Sequence, residues 1–283
     1  MVYPAKVLLF GEHTVLRGGR GLAVPYARRS LRWVRDKPDE RLLRFCDYLK
    51  VALPEELFDA GALEDQLLAD WRLAGDIPTG YGLGSSGAVC AAIWSRFASS
   101  KGFGLRGEAL RQVLARMEQH FHGSSSGTDP LICYLNQPLT LGGGKPPQTA
   151  TLPDGWSERF FLVDTGKPRE ASAYIKSFTD RYDQDPSFAQ RVNEEWASPA
   201  NHCIEALLAG DGRKLLEHFG KLSNFQLQVL PDFIPAAYRD RWVSDQYLLK
   251  ICGAGGGGML LGYLTEPKAK AAITDALGKV EWL

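Results

Sequence analysis

The sequence predicts an α+β chain folded as two domains, and three observations carry that expectation. Strand-like and helix-like periodicities alternate along the whole chain. A stretch rich in glycine and proline, residues 142–155, interrupts them near the middle. The length, 283 residues, is enough to bury a sizeable core and ordinarily gives two domains or one large one.

Taken in order, residues 6–11 and about 22–34 read as strands, the second bent at Pro25. Residues 40–52 and 106–121 show the spacing of amphipathic helices, and 67–74 reads as a strand entering a glycine-rich loop at 77–88. An apolar stretch of helical character, Val89 to Phe97, comes after that loop. The breaker-rich segment then suggests a division into residues 1–147 and 148–283. Beyond it, 158–164 reads as a strand, while 171–180, 187–209, 212–229 and about 235–246 read as helices. The chain closes as strand, glycine loop, strand, helix and a short last strand at 279–282.

Composition narrows the class. Hydrophobic residues at 45% and charged residues at 23% are ordinary globular values. Lys plus Arg equals Asp plus Glu at 33 each, so no global field points to nucleic acid or to an anionic membrane, and any anion site has to be local. Cys46, Cys90, Cys133, Cys203 and Cys252 are widely spaced without metal-ligand spacing and read as buried reduced thiols of a cytoplasmic protein. The first residues enter a strand without a signal-peptide pattern, and no apolar run has the length of a bilayer span.

Three segments carry the chemistry. Residues 77–88, Ile-Pro-Thr-Gly-Tyr-Gly-Leu-Gly-Ser-Ser-Gly-Ala, place alternate glycines and a Ser-Ser pair at the start of a helix. Bare backbone there lets amide N–H groups converge on an anion that the helix dipole also favours. Neither the Walker nor the Rossmann spacing is present. Residues 250–263 contain Cys-Gly-Ala-Gly-Gly-Gly-Gly between apolar runs, the mark of a backbone brought close to a ligand or another strand. Residues 4–13, Pro-Ala-Lys-Val-Leu-Leu-Phe-Gly-Glu-His, open an apolar run with a lysine and close it with an acid and a histidine.

In this order and spacing the three segments resemble the signature motifs of the GHMP kinases, and the first is most similar to that of the mevalonate kinase branch. So is Phe121-His-Gly-Ser-Ser-Ser-Gly-Thr-Asp129, which resembles that branch's His-Gly-x-x-Ser-Gly-x-Asp segment. The resemblance implies a two-domain GHMP kinase fold with nucleotide and substrate in the interdomain cleft. It implies an ATP-dependent kinase, with Mg²⁺ as cofactor, acting on the 5-hydroxyl of mevalonate as a monomer or homodimer. Phosphomevalonate, a sugar or an amino-alcohol as acceptor, or a catalytically silent member that binds nucleotide or a partner, stay open.

The resemblance also distributes roles. Asp129 becomes the general base and Lys6 the cation beside it that steadies the developing alkoxide. Gly82, Leu83, Gly84, Ser85, Ser86 and Gly87 form the ATP loop, and Gly253, Ala254, Gly255 and Gly256 the second glycine loop. Glu118, eleven residues before Asp129, stands at the spacing of the Mg²⁺ carboxylate, with Ser86 adding a hydroxyl. Glu12, His13 and Arg169 are the expected substrate contacts, Arg169 meeting a carboxylate.

Each residue taken singly has a plainer reading: Asp129, between Gly123 and Pro130, as a turn former held outside a helix; Glu118 as a solvated face; Lys6 as a strand-edge charge; His13, like His120, His122, His202 and His218, as structural. The chain departs from the family pattern at Ala5, where a glycine is usual, and at Ala171, where Ser172 is the nearest substitute for a threonine.

Overall fold

The structure is a computed structural model that describes the backbone of residues 1–283 and the side chains of all but 269, 271 and 272. The strands are β1 (Val2–Phe10), β2 (Arg20–Arg35), β3 (Trp71–Gly75), β4 (Leu139–Gly142), β5 (Gln148–Thr149), β6 (Phe160–Asp164), β7 (Tyr247–Ile251), β8 (Met259–Leu264) and β9 (Val280–Trp282). The helices are α1 (Glu40–Ala52), α2 (Ala60–Leu68), α3 (Ser85–Phe97), α4 (Ser100–Phe103), α5 (Gly107–His122) and α6 (Thr128–Leu135). They continue with α7 (Ala171–Gln184), α8 (Pro186–Val192), α9 (Ser198–Leu208), α10 (Gly212–Val229), α11 (Ala236–Arg239) and α12 (Lys270–Leu277). The mixture is the α+β class that the periodicities predict.

These elements form two compact units interleaved along the sequence. One comprises Met1–Lys6, Val24–Pro78 and Gly84–Gln137; the other comprises Val7–Ala23, Thr79–Leu83 and Pro138–Leu283. A single division at 147/148 therefore does not describe the chain. Both β1 and β2 pass from one unit to the other in mid-strand, and the glycine-rich loop is divided between Leu83 and Gly84. A strand carries no composition shift where it changes unit, so a search for breakers passes over such crossings.

In the first unit, the far half of β2 pairs antiparallel with β3, Leu31 opposite Gly75 and Arg35 opposite Trp71. Helices α1 and α2 begin on acidic caps: Asp39 accepts from the amides of Arg41 and Leu42, and Asp59 from that of Ala62. The residues before β3, expected as strand from 67, finish a helix instead. Leu63 and Leu67, one turn apart, bury the same face, and Asp70 turns the chain at φ 64° before β3 begins. Helix α3 buries Ala88, Cys90, Ala91, Ala92, Ile93 and Trp94, so apolar surface covers nearly its whole circumference, as expected of a core helix. Helix α5 is amphipathic and buries Leu110, Leu114 and Met117, with Glu118 on that same inward face.

In the second unit, the near half of β2 pairs with β4, Arg20 opposite Gly142, and β4 pairs with β5. A separate antiparallel sheet runs β7-β8-β6-β9, with Leu162 opposite Leu261 and Phe161 opposite Trp282. Strands β7 and β8 are buried along their whole length, which explains apolar runs interrupted only by Lys250 and Gly262. The helical run expected at 187–209 is α8 and α9 joined through a π-helical turn at Asn193–Ala197. Of the run expected at 235–246 only α11 is helical; Pro235 precedes it, and the chain then turns toward β7. All five cysteines are buried and unbridged.

Two close approaches in the first unit fix the position of α3. A methyl group at Gly84 would stand 2.7 Å from Lys6 Cγ, and one at Gly87 would stand 2.8 Å from the Asp129 carbonyl carbon and the Pro130 nitrogen. These glycines let α3 lie directly against the lysine stem and the first turn of α6. Gly87→Ala is expected to lower stability by roughly 1–3 kcal/mol, the usual cost of overpacking, read as a reduced urea midpoint at unchanged slope. An unchanged midpoint would show that the α3–α6 contact is loose.

Candidate active site

Lys6 and Asp129, far apart in sequence, meet in the first unit. Lys6 is buried near the inner end of its strand segment, and its Nζ stands 3.0 Å from Asp129 Oδ2. Asp129 lies in the first turn of α6 and not in a loop as its flanking residues suggest. Gly127, left-handed at φ 71°, acts as the N-cap, and Pro130 falls where a helix makes no use of its amide, so proline is compatible with the first turn. The helix fixes the carboxylate more firmly than a turn would. The Asp129 side chain remains 38% exposed, so the carboxylate is accessible to a reacting molecule while Lys6 meets its Oδ2.

Glu118 comes up beside this pair from α5. Its carboxylate is buried and accepts hydrogen bonds from two hydroxyls: Ser86 Oγ on Oε1 at 2.9 Å and Ser125 Oγ on Oε2 at 2.5 Å. Ser125 Oγ in turn accepts from the Gly127 amide at 2.9 Å, tying the carboxylate to the cap of α6. Burial pushes the Glu118 carboxyl up to about 7; the negative charge of Asp129 adds to the rise, and the Ser125 and Ser86 hydroxyls and Lys6 offset part of it. His122 Nε2 lies 3.0 Å from Ser86 Oγ, so this histidine adjoins the glycine-rich loop.

A divalent cation fits this arrangement on chemical grounds. The donors are oxygens, two carboxylates crowd one another, and the more buried one is held partly protonated until positive charge arrives. Mg²⁺ ordinarily takes one or two carboxylates and completes its shell with water and phosphate oxygens. Among the described residues, no group of three or more His, Cys, Asp or Glu is arranged to hold a metal by itself.

At the start of α3, Gly84 is left-handed at φ 70° and no side chain caps the helix. The first amides of α3, at Ser85, Ser86 and Gly87, therefore lack the side-chain acceptor that closes most helix N-termini, an arrangement suited to an anion. Gly82 and Leu83 of the same loop belong to the other unit.

In the second unit the expected substrate residues cluster differently from expectation. Arg169 Nη1 donates to the carbonyls of Cys252 at 2.8 Å and Gly257 at 3.3 Å, and its amide donates to Gly80 O at 3.1 Å. A methyl group at Gly82 or Gly253 would overlap the guanidinium. Arg169 thus lies half-buried against the second glycine loop and occupies space those glycines leave. Tyr174 packs against Gly256 in the same way, and Phe233 against Gly255. Gly253, Gly255 and Gly256 all have positive φ, and Ala254 is buried among them.

His13 is also buried, its ring among Phe178, Trp196 and Phe233, with Nε2 3.0 Å from Ala254 O. Glu12 is 1% exposed and ion-paired with the fully buried Lys250. Its side chain points into the unit, toward Lys250. The sequence reading missed Ser125, His122, Tyr174 and Lys250. Ser125 sits inside the 121–129 motif, and Lys250 is a charge in an otherwise apolar strand; both were signals. Tyr174 carried none, since a tyrosine on an amphipathic helix is ordinary. Ala5 is fully buried within β1, which keeps its course without a glycine there, and Ser172 Oγ donates to Glu170 at 3.3 Å.

Comparison with known proteins bears on the family and the fold. Residues 48–137 match the family model described as the GHMP kinases N terminal domain. The mevalonate kinase of Archaeoglobus fulgidus is 25% identical over 284 residues, covering 95% of this chain and 94% of its own. That of Pyrococcus furiosus is 26% identical over 313 residues, covering 97% and 91%. Among solved structures, L. major mevalonate kinase in complex with R-mevalonate aligns with a TM-score of 0.68 at 17% identity, covering 99% of this chain and 94% of that one. Streptococcus pneumoniae phosphomevalonate kinase in complex with phosphomevalonate and AMPPNP aligns at 0.69 and 13% identity, covering 100% and 99%. At these identities the structural likenesses speak for the fold. No helix of the described residues is long and apolar enough to cross a membrane.

His13 makes a pH dependence. Burial holds it down to about 4, Arg169 adds to the depression, and the bond to Ala254 offsets part of it. Above about pH 6.5 folded and unfolded states are both neutral at this site; on acidification the unfolded chain takes up the proton first. Stability is therefore expected to fall between pH 6.5 and about 4, by of order 3 kcal/mol for this group alone. Urea titrations of the native chain and His13→Asn across that range should show the difference between them shrinking as pH falls. A constant difference would place the proton on His13 equally in both states.

Proposed function

We propose that the chain, which matches the GHMP kinases N terminal domain over residues 48–137, shares the fold of those enzymes and is similar over nearly its whole length to mevalonate kinases, transfers the γ-phosphoryl group of ATP to the 5-hydroxyl of mevalonate. It is an ATP:alcohol phosphotransferase of that kind. The observation that carries the reading is the Lys6–Asp129 contact with Glu118 behind it.

In this reading the accessible Asp129 oxygen takes the proton of the attacking hydroxyl, and Lys6 Nζ neutralises the alkoxide as it forms. The uncapped amides of Ser85, Ser86 and Gly87 receive phosphate oxygens at the start of α3. Glu118, with the Ser86 hydroxyl, would hold Mg²⁺, which would supply positive charge against the phosphate oxygens. Ser125 keeps the Glu118 carboxylate aimed while the nucleotide is absent. In the second unit Arg169 offers the cation for an acceptor carboxylate, its guanidinium held in place by the Cys252 and Gly257 carbonyls.

A second acceptor has one observation in its favour. Lys167 stands exposed two residues from Arg169, and two cations suit a phosphorylated acceptor such as phosphomevalonate. The discriminating experiment is ADP release with mevalonate, phosphomevalonate, homoserine and galactose offered in turn. The proposal expects turnover with mevalonate at least about tenfold above the others, on the order of a lost or gained charged contact. Background release with mevalonate and robust turnover with another acceptor would overturn the assignment of substrate and leave the kinase reading standing.

Asp129→Asn separates chemistry from binding. The amide retains the size of the side chain and removes the base and the charge partner of Lys6. kcat is expected to fall by about 10²-fold or more with little change in nucleotide affinity. Near-normal kcat, or parallel loss of ATP binding and thermal stability, would make Asp129 a structural residue.

A further inference from the structure

Lys250 is 0% exposed and stands at the end of β7, where Tyr247, Leu248, Leu249 and Ile251 are all buried apolar residues. A lone ammonium there would be prohibitively costly. It is compensated by the Glu12 carboxylate and by the Ile251 carbonyl at 2.7 Å, with the Phe10 ring 5.9 Å away. Glu12 comes directly after β1 and Gly11; Lys250 immediately precedes the second glycine loop. We propose that the Glu12–Lys250 pair is a positioning pair: it sets where the glycine loop 252–258 stands relative to the Gly11–Thr14 turn, and through that where Arg169, held by the Cys252 and Gly257 carbonyls, presents its guanidinium.

A buried ion pair contributes little to stability compared with apolar residues of the same volume, so stability does not account for it. What it supplies is direction. The glycine loop has few side chains with which to pack, and Gly253, Gly255, Gly256 and Gly258 adopt positive φ, so contacts from outside the loop must define its course. Those contacts are ordered along the chain. Lys250 meets Glu12, and four residues later Ala254 O meets His13 Nε2, the residue after Glu12. Between them Cys252 Sγ points at Leu8 O at 3.9 Å. The two tethers fix both position and register, as two pins fix a plate.

The backbone shows the same constraint. His13 has φ 57°, a conformation that costs energy for any residue with a Cβ and persists only where the surroundings over-determine it. Glu12, clamped by Lys250, holds one side of that residue; the bond to Ala254 holds the other. Gly11, at φ 102°, passes so near Arg20 O that a methyl group would stand 2.6 Å from it. The turn is therefore rigid, and the loop inherits its position from it. The functional consequence rests on the kinase reading; the positioning does not.

The test compares Lys250→Met, Glu12→Gln and the double variant Glu12→Gln/Lys250→Met by thermal midpoint, by hydrogen exchange of the amides at 253–258, and by kcat and KM. Lys250→Met leaves Glu12 buried without its cation and is expected to melt several degrees lower. The double variant removes both charges and is expected to regain most of that loss, while its loop amides exchange about tenfold faster than in the native chain and kcat/KM falls by about tenfold or more. Native protection of the loop in the double variant would reduce the pair to a structural feature, and so would a double variant no more stable than Lys250→Met. Loop exchange requires no substrate, so a failure of the mevalonate assignment would leave that readout intact and a failure of the positioning claim would be visible by itself.

Discussion

The first unit depends on the crowding of two carboxylates around one lysine. Glu118 is buried, Asp129 lies close enough to raise its proton affinity, and Lys6 carries a single positive charge for both. Such a site is electrostatically incomplete, and that incompleteness gives it a use. A divalent cation and an anionic phosphate chain would together supply what it lacks, positive charge at Glu118 and a ligand for the uncapped start of α3. The protein around it is arranged to maintain the crowding: α5 brings Glu118 in on its apolar face, and Gly87 allows α3 to lie against the first turn of α6.

The glycines of this chain serve packing as much as ligand approach. From sequence, the loop at 77–88 reads as a phosphate cradle, and its bare backbone does present amides at a helix start. Yet Gly84 and Gly87 also leave room for Lys6 and for α6, and in the second unit Gly82 and Gly253 leave room for the Arg169 guanidinium. A motif of this kind is thus constrained twice, by what binds to it and by the side chains already lodged in it. The second glycine loop shows the same logic with Tyr174, Phe233 and the tethers at Glu12 and His13.

Much of this was readable from the amino acids because local signals and spacing agreed. Helices α1 and α10 occupy the ranges their apolar periodicity predicts, and within the first unit Lys6, Ser86, Glu118 and Asp129 come together. What escaped was set by tertiary context. Asp129 reads as a turn residue because X-Pro disfavours helix, but a left-handed glycine cap places that proline in the one helical turn that accepts it. The segment before β3 has strand-like composition only at its end, and the Asp59 cap and the Leu63–Leu67 spacing decide for helix. Glu12 and Lys250 are 238 residues apart, and no local pattern announces that they pair. The interleaving of the units is hidden for the same reason, since a strand that passes from one unit to the other looks like any strand.

The most direct measurement of the central electrostatic claim is a titration of the Glu118 carboxyl carbon by NMR in protein labelled at its glutamate side chains, with and without Mg²⁺ and a non-hydrolysable ATP analogue. The account predicts a midpoint near 7 in the bare protein, in keeping with burial beside Asp129, and a fall of about one to two units or more when metal and nucleotide are added, the scale of shift that a neighbouring cation produces. A midpoint at the ordinary glutamate value in the bare protein, or one that does not respond to metal and nucleotide, would contradict it.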